Sequence, residues 1–147
     1  FWLHDQSFFY AILAAVFITT RLINKQKSIP HYTLQIADAF GLAFFAVMGT
    51  QKALLAGMPN MTAIIMGVIT GCFGGMLRDV LAREIPMLLK GELYAITCIA
   101  GGVVYTLGIH FAFATELAMV MAMLTTLLLR IAAIKWQITV HVFKYSD

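Results

Sequence analysis

Gly67-Val68-Ile69-Thr70-Gly71-Cys72-Phe73-Gly74-Gly75-Met76-Leu77-Arg78-Asp79 is the stretch on which the fold turns. It carries no charge before Arg78. It sits inside an apolar run from about Met61 to Leu81, preceded by the turn Gly57-Met58-Pro59-Asn60. About 20 apolar residues are needed for a helix to cross the hydrocarbon core of a bilayer. In lipid a chain must satisfy its own backbone groups, and a helix does so within one segment. The run is too long and too uniformly apolar for a strand, so a transmembrane helix is expected. Its glycines admit two physical readings. Gly67, Gly71 and Gly75 recur every four residues, which bares one helix face for close packing. The adjacent Gly74 and Gly75 near mid-span also favour a kink. A kink would free carbonyls, hard oxygen ligands for a dehydrating cation. Both readings stay open on physics alone.

The same pattern repeats outward. Apolar runs extend over about Phe8–Ile23, Leu34–Leu55, Leu93–Phe113 and Leu117–Ile134. Of the 147 residues, 61% are hydrophobic and only 12% charged, with a mean hydropathy of +0.88. A soluble domain carries about 25% charged residues, so neither a soluble nor a disordered chain fits. The expected fold is an all-α integral membrane protein with about five transmembrane helices. Cys72 and Cys98 lie in apolar runs and read as small hydrophobes, not as a structural disulfide. No metal-ligand set is spaced along the chain. The four histidines are scattered and read as core or interfacial packing.

The charges suggest an orientation. With the first run entering from outside, Arg21, Lys25, Lys27, Arg78, Arg83, Lys90, Arg130, Lys135 and Lys144 fall at cytoplasmic ends, nine of the ten Lys and Arg residues. Lys52 alone falls at an outer end. The positive-inside rule then puts the N-terminus outside and the C-terminus in the cytoplasm. There is also an echo: Tyr10-Ala11-Ile12 recurs as Tyr94-Ala95-Ile96, with Asp5 and Glu92 a few positions upstream. The two copies run in opposite directions across the membrane, as in inverted-topology repeats.

Gly71-x-x-Gly74-Gly75-Met76-Leu77-Arg78-Asp79-Val80-Leu81 followed by Pro86 resembles the bacterial relatives of the trimeric intracellular cation (TRIC) channels, a group also labelled glycine-transporter-like. Asp38-Ala39-Phe40-Gly41-Leu42-Ala43-Phe44-Phe45-Ala46-Val47-Met48-Gly49, followed by Gln51-Lys52-Ala53, resembles that family's repeat-opening helix. Glu92-Leu93-Tyr94-Ala95 resembles its third helix. The resemblance implies seven helices, two inverted three-helix repeats plus a closing helix, in a homotrimer with one pore per protomer beside glycine-kinked helices. Mapped here, residues 1–30 would be the last helix of a first repeat with a basic loop. Residues 31–113 would be the second repeat and 114–147 the closing helix and cytoplasmic tail. About two helices of the family pattern are then expected upstream of Phe1, carrying a second Gly-Gly-x-x-Arg-Asp-like motif.

The residues singled out are Gly71, Gly74 and Gly75 for the kink and pore, and Asp38, Arg78 and Asp79 for a pore mouth or charge pair. Lys52 is the candidate for gating or cation tuning. Asp38 lies about 20 residues before the turn at Gly57–Asn60 and Arg78 about 18 after it, so a hairpin places them within about 3 Å in depth. Arg83 could compete for Asp79 as an i,i+4 partner. Ala43, Ala46, Gly49 and Ala53, and then Ala118, Ala122 and Thr125, form small-residue stripes for packing within a protomer or between protomers. The expected function is a passive monovalent cation channel, with potassium the expected ion. The alternatives are a secondary transporter of a small zwitterion such as glycine, or a structural membrane protein with no pore. No catalytic motif appears, so an enzyme is not expected. No cofactor is expected beyond permeating potassium or sodium. The partners expected are the lipid bilayer of a prokaryotic inner membrane and, as the resemblance implies, two further copies of the chain, with no nucleic acid.

Overall fold

The computed structural model describes Tyr10, residues 13–18, Arg21, residues 31–90 and residues 93–136. Two compact units divide the chain, Phe1–Leu34 and Gln35–Asp147. In the first, Tyr10, residues 13–18 and Arg21 are helical, and the Arg21 guanidinium lies 4.8 Å from the centre of the Phe17 ring. Asp5, Lys25, Lys27, Glu92 and Lys144, named in the sequence reading, lie outside the described residues.

Four longer helices follow: α1 (His31–Leu55), α2 (Asn60–Leu81), α3 (Tyr94–His110) and α4 (Thr115–Trp136), with a short 3-10 turn (Met87–Lys90) between α2 and α3. All regular structure among the described residues is helical. Tyr32–Leu55, Asn60–Leu81 and Thr115–Trp136 are long and apolar enough to span a bilayer. α3, at 17 residues, is shorter than the run that predicts it and reaches only about 26 Å. It stops because Ala112 turns into the left-handed region (φ 58°). The Phe113 amide then closes onto the Gly108 carbonyl and the Ala112 amide onto Ile109.

The other helix ends close in the same way. After α1, the Met58 amide bonds to Ala53 O and the Gly57 amide to Leu54 O, with Gly57 at φ 80°. These paired bonds satisfy the last orphan carbonyls, and glycine is the residue that takes this conformation without strain. α2 ends with Arg83 in that position (φ 57°). The Asp79 and Val80 carbonyls accept from Glu84 and Arg83. Arg83 is therefore the helix stop, and the guanidinium that reaches Asp79 is that of Arg78.

The packing is the inverse of a soluble protein's. Phe40, Phe44, Phe45, Ile65, Ile69, Phe73, Leu124 and Leu128 face outward, each about half exposed or more. The buried positions are mostly small or hydroxylic: Ala39, Ala43, Ala46, Thr50, Ala63, Thr97, Ala118, Ala122 and Thr126. Lipid tails are as apolar as leucine, so membrane helices associate through close backbone approach, not by hiding large side chains. Gly67 faces the Ala46 carbonyl and Thr50, Gly71 faces Ala46, and Gly49 faces Thr70. Gly101 opposes Thr126, and Gly108 opposes Ala118. The buried hydroxyls are satisfied locally: Thr50 donates to Ala46 O and Thr126 to Ala122 O, both at 2.9 Å. On α4 the buried row is Ala118, Ala122, Thr126 and Arg130, so Thr126 takes the place expected of its neighbour Thr125.

Of the two readings of the α2 glycines, the helix favours close packing. α2 is continuous helix from Asn60 through Leu81. Gly71, Gly74 and Gly75 therefore do not break it and release no carbonyls. Three neighbours account for this. Gly67 and Gly71 are clamped against Ala46 and Thr50 of α1, and Gly75 is held beneath the Tyr94 hydroxyl. Glycine lowers helix propensity by about 1 kcal/mol, a weak preference that tertiary contacts override.

Candidate functional site

The turn at Gly57–Asn60 makes α1 and α2 an antiparallel pair, and this sets Asp38 beside the far end of α2. Arg78 Nη1 lies 2.7 Å from Asp38 Oδ1. The same guanidinium donates through Nε and Nη2 to Asp79 Oδ1, at 2.9 and 2.8 Å. Arg78 therefore spans two carboxylates. Both acids are withdrawn from the surface, with side chains 6% exposed, against 31% for Arg78. A carboxylate in such a place is costly unless paired and hydrogen-bonded.

Two residues complete the cluster. Tyr94, the first residue of α3, is 2% exposed and donates its hydroxyl to Asp38 Oδ2 at 2.7 Å. Asp38 is thus held on both oxygens, by a cation from α2 and a phenol from α3. Arg130 of α4 is fully buried, its guanidinium carbon 4.6 Å from the centre of the Tyr94 ring. A cation over an aromatic face is worth about 2 kcal/mol when desolvated. The four side chains Asp38, Asp79, Arg78 and Arg130 sum to zero formal charge, so the cluster joins all four helices without a net buried charge.

Glycine at 75 is what lets this cluster close. A Cβ there would collide with the Tyr94 hydroxyl and stand 3.0 Å from Asp38 Oδ1. Gly71 serves helix packing one turn away, and Gly74 meets nothing within 4 Å, on an exposed face. The three glycines that the sequence groups together therefore occupy three different environments. Lys52 is exposed in the last turn of α1, 14 residues and about 21 Å along the helix from Asp38. It lines a groove of about 410 Å³ with Phe45, Met48, Gly49 and Thr70, apart from the cluster.

The sequence reading brings Asp38, Arg78 and Asp79 forward but not Tyr94 or Arg130 as site residues. A signal for Arg130 is present. It continues the four-residue period of Ala118, Ala122 and Thr126, and it is a charge within an otherwise apolar helix.

Replacing Tyr94 by Phe keeps the ring beneath Arg130 and removes the bond to Asp38. Hydrogen bonds to charged groups contribute about 1.5–3 kcal/mol, so Tyr94→Phe is expected to lower unfolding stability by that amount. Tyr94→Leu should cost more, because the cation contact goes too. Denaturant titration of both variants in micelles reads the difference, and equal losses would remove the Arg130 contact from the account.

Three or more apolar helices around a buried, charge-balanced polar cluster define a polytopic α-helical membrane protein. Residues 35–110 match the family model described as "Glycine transporter". The chain belongs to this family, the UPF0126 membrane proteins. It is 41% identical over 143 residues to a UPF0126 membrane protein of Vibrio cholerae, covering 97% of this chain and 60% of that relative. It is also 41% identical over 148 residues to the UPF0126 inner membrane protein YadS of Escherichia coli, covering 100% of this chain and 72% of YadS. The chain thus spans about 60–70% of these relatives. Among solved structures, the TRIC trimeric intracellular cation channel orthologue from Rhodobacter sphaeroides superposes with a TM-score of 0.82 at 32% identity, over 94% of this chain and 71% of that one.

Proposed function

We propose that this chain forms most of a passive monovalent cation channel, with potassium as the ion carried. The observation that carries the reading is its superposition at TM-score 0.82 and 32% identity on a TRIC cation channel. The cluster adds a chemical rationale. Asp38 is a buried carboxylate whose charge is occupied by Arg78 and Tyr94. A cation passing along α2 would compete with Arg78 for that carboxylate, while Asp79 keeps the guanidinium anchored when Asp38 is taken. The arrangement as it stands is then a closed one.

By the same reading the protein is a homotrimer with one pore per protomer. Residues 31–113 act as one three-helix repeat, and the C-terminus faces the cytoplasm, where the basic residues gather. Lys52, in the last turn of α1, tunes entry from the opposite side in this reading.

Single-channel recording of the full-length protein in planar bilayers tests this. Ohmic steps whose reversal potential follows the potassium gradient are expected. Asp38→Asn should lower the ratio of cation to chloride permeability, because Arg78 then lacks one of its two carboxylates. The family's description as a glycine transporter supports a second reading. Saturable glycine uptake into vesicles, with no current steps, would favour that reading and overturn the channel.

A further inference from the structure

Beside the charged cluster, the same helices bring together two side chains that conduction does not use. Cys72 of α2 and Cys98 of α3 are 26 residues apart in sequence, yet their Sγ atoms lie 3.9 Å apart. Both are free thiols, 6% and 1% exposed. They pack with Leu42, Ala46 and Tyr94. These are the two cysteines of the sequence. Cys72 precedes Gly75 by three residues and Cys98 follows Tyr94 by four, so the thiols sit one turn from the Gly75–Tyr94 contact, on the same faces.

We propose that Cys72 and Cys98 form an oxidisable pair, which a peroxide converts into an intramolecular disulfide tying α2 to α3. A disulfide has sulfurs about 2.05 Å apart, so bond formation asks the two atoms to close by about 1.9 Å. The first step is attack by one thiolate on the peroxide O–O bond, which gives a sulfenic acid and, with the thiol proton, water. Cys72 takes this step, being the more exposed of the two. The Cys98 sulfur then attacks the sulfenic sulfur. The S–S bond forms, the S–O bond breaks, and hydroxide leaves with the Cys98 proton as a second water. In total, two thiols and one hydrogen peroxide give one disulfide and two waters. The bond holds α3 in the register that seats Tyr94 on Asp38, and nothing in the chemistry depends on what the protein transports.

The test uses the purified full-length protein in detergent, treated with hydrogen peroxide, alkylated with N-ethylmaleimide, digested and mapped by mass. The expected product is a linked peptide pair holding Cys72 and Cys98, lighter by two hydrogens and separated by dithiothreitol. In Cys98→Ser the reaction should stop at the first step, so that dimedone traps a sulfenic acid on Cys72 severalfold more than in the wild type. Wild-type protein with both cysteines still alkylated after peroxide overturns the proposal, because the peroxide must reach Cys72. So does a link found only between two chains. If Cys98→Ser does not fold, the wild-type peptide map decides alone.

Discussion

Arg78→Ala is expected to lower unfolding stability by about 2–4 kcal/mol, more than Asp38→Ala, and the double variant to lose less than the sum. Removing one partner of a buried pair typically costs about 3–5 kcal/mol, whereas an exposed pair is worth about 0–1. Asp38 and Asp79 are nearly buried, but Arg78 is 31% exposed, which moves the expectation below the buried figure. The asymmetry follows from the contacts. Arg78 serves two carboxylates, so its loss strips a cation from both at once. Loss of Asp38 leaves Arg78 its two bonds to Asp79 and releases only the Tyr94 hydroxyl. Independent sites add to within about 0.3–0.5 kcal/mol. A coupling larger than that is expected here. A double-mutant cycle by denaturant titration in micelles measures it. Additive losses, or a costlier Asp38→Ala, would mean that the ion pair does not hold α1 to α2.

That pair was legible because one short turn relates its two helices. With Gly57 in the left-handed conformation and Pro59 opening α2, counting residues away from the turn gives relative depth directly. Tyr94 lies beyond a charged connection and a 3-10 turn, whose path a single sequence does not determine. Its hydroxyl therefore could not be placed on Asp38 by counting. Arg130 was obscured for another reason. A basic residue late in an apolar run counts toward the cytoplasmic side, and that reading stops short of asking which face the residue occupies. The spans of α1, α2 and α4 were legible to within three residues at either end, since hydrocarbon thickness selects their length. α3 ends at His110, three residues short of its expected run, because Ala112 is left-handed, with no glycine to mark the stop. The glycines of α2 show the limit of local composition. The same residue can loosen a helix or admit a neighbour, and only the neighbour's position decides which.

Single alanine substitutions at these glycines are expected to separate the two roles by the order of their effects. At Gly67 a Cβ would stand 2.5 Å from the Ala46 carbonyl oxygen and collide with Thr50 Oγ1. The carbonyl is backbone and Thr50 is 1% exposed, so α1 and α2 must separate. Overpacking of this kind costs about 1–3 kcal/mol, and more where backbone must move. At Gly75 the obstacle is the Tyr94 hydroxyl, which can yield by giving up its bond to Asp38, so the loss should approach that of Tyr94→Phe. At Gly74 the new methyl meets nothing within 4 Å. Alanine there is expected to be neutral or to stabilise by up to about 1 kcal/mol through helix propensity. The expected order of destabilisation is Gly67→Ala, then Gly75→Ala, with Gly74→Ala at or below zero. Denaturant titration gives the order, and flux measured on the same preparations gives the second axis. If close packing is what these glycines provide, Gly74→Ala conducts like the wild type. If Gly74 is a hinge for opening, Gly74→Ala folds normally and loses flux, and packing no longer accounts for the adjacent pair.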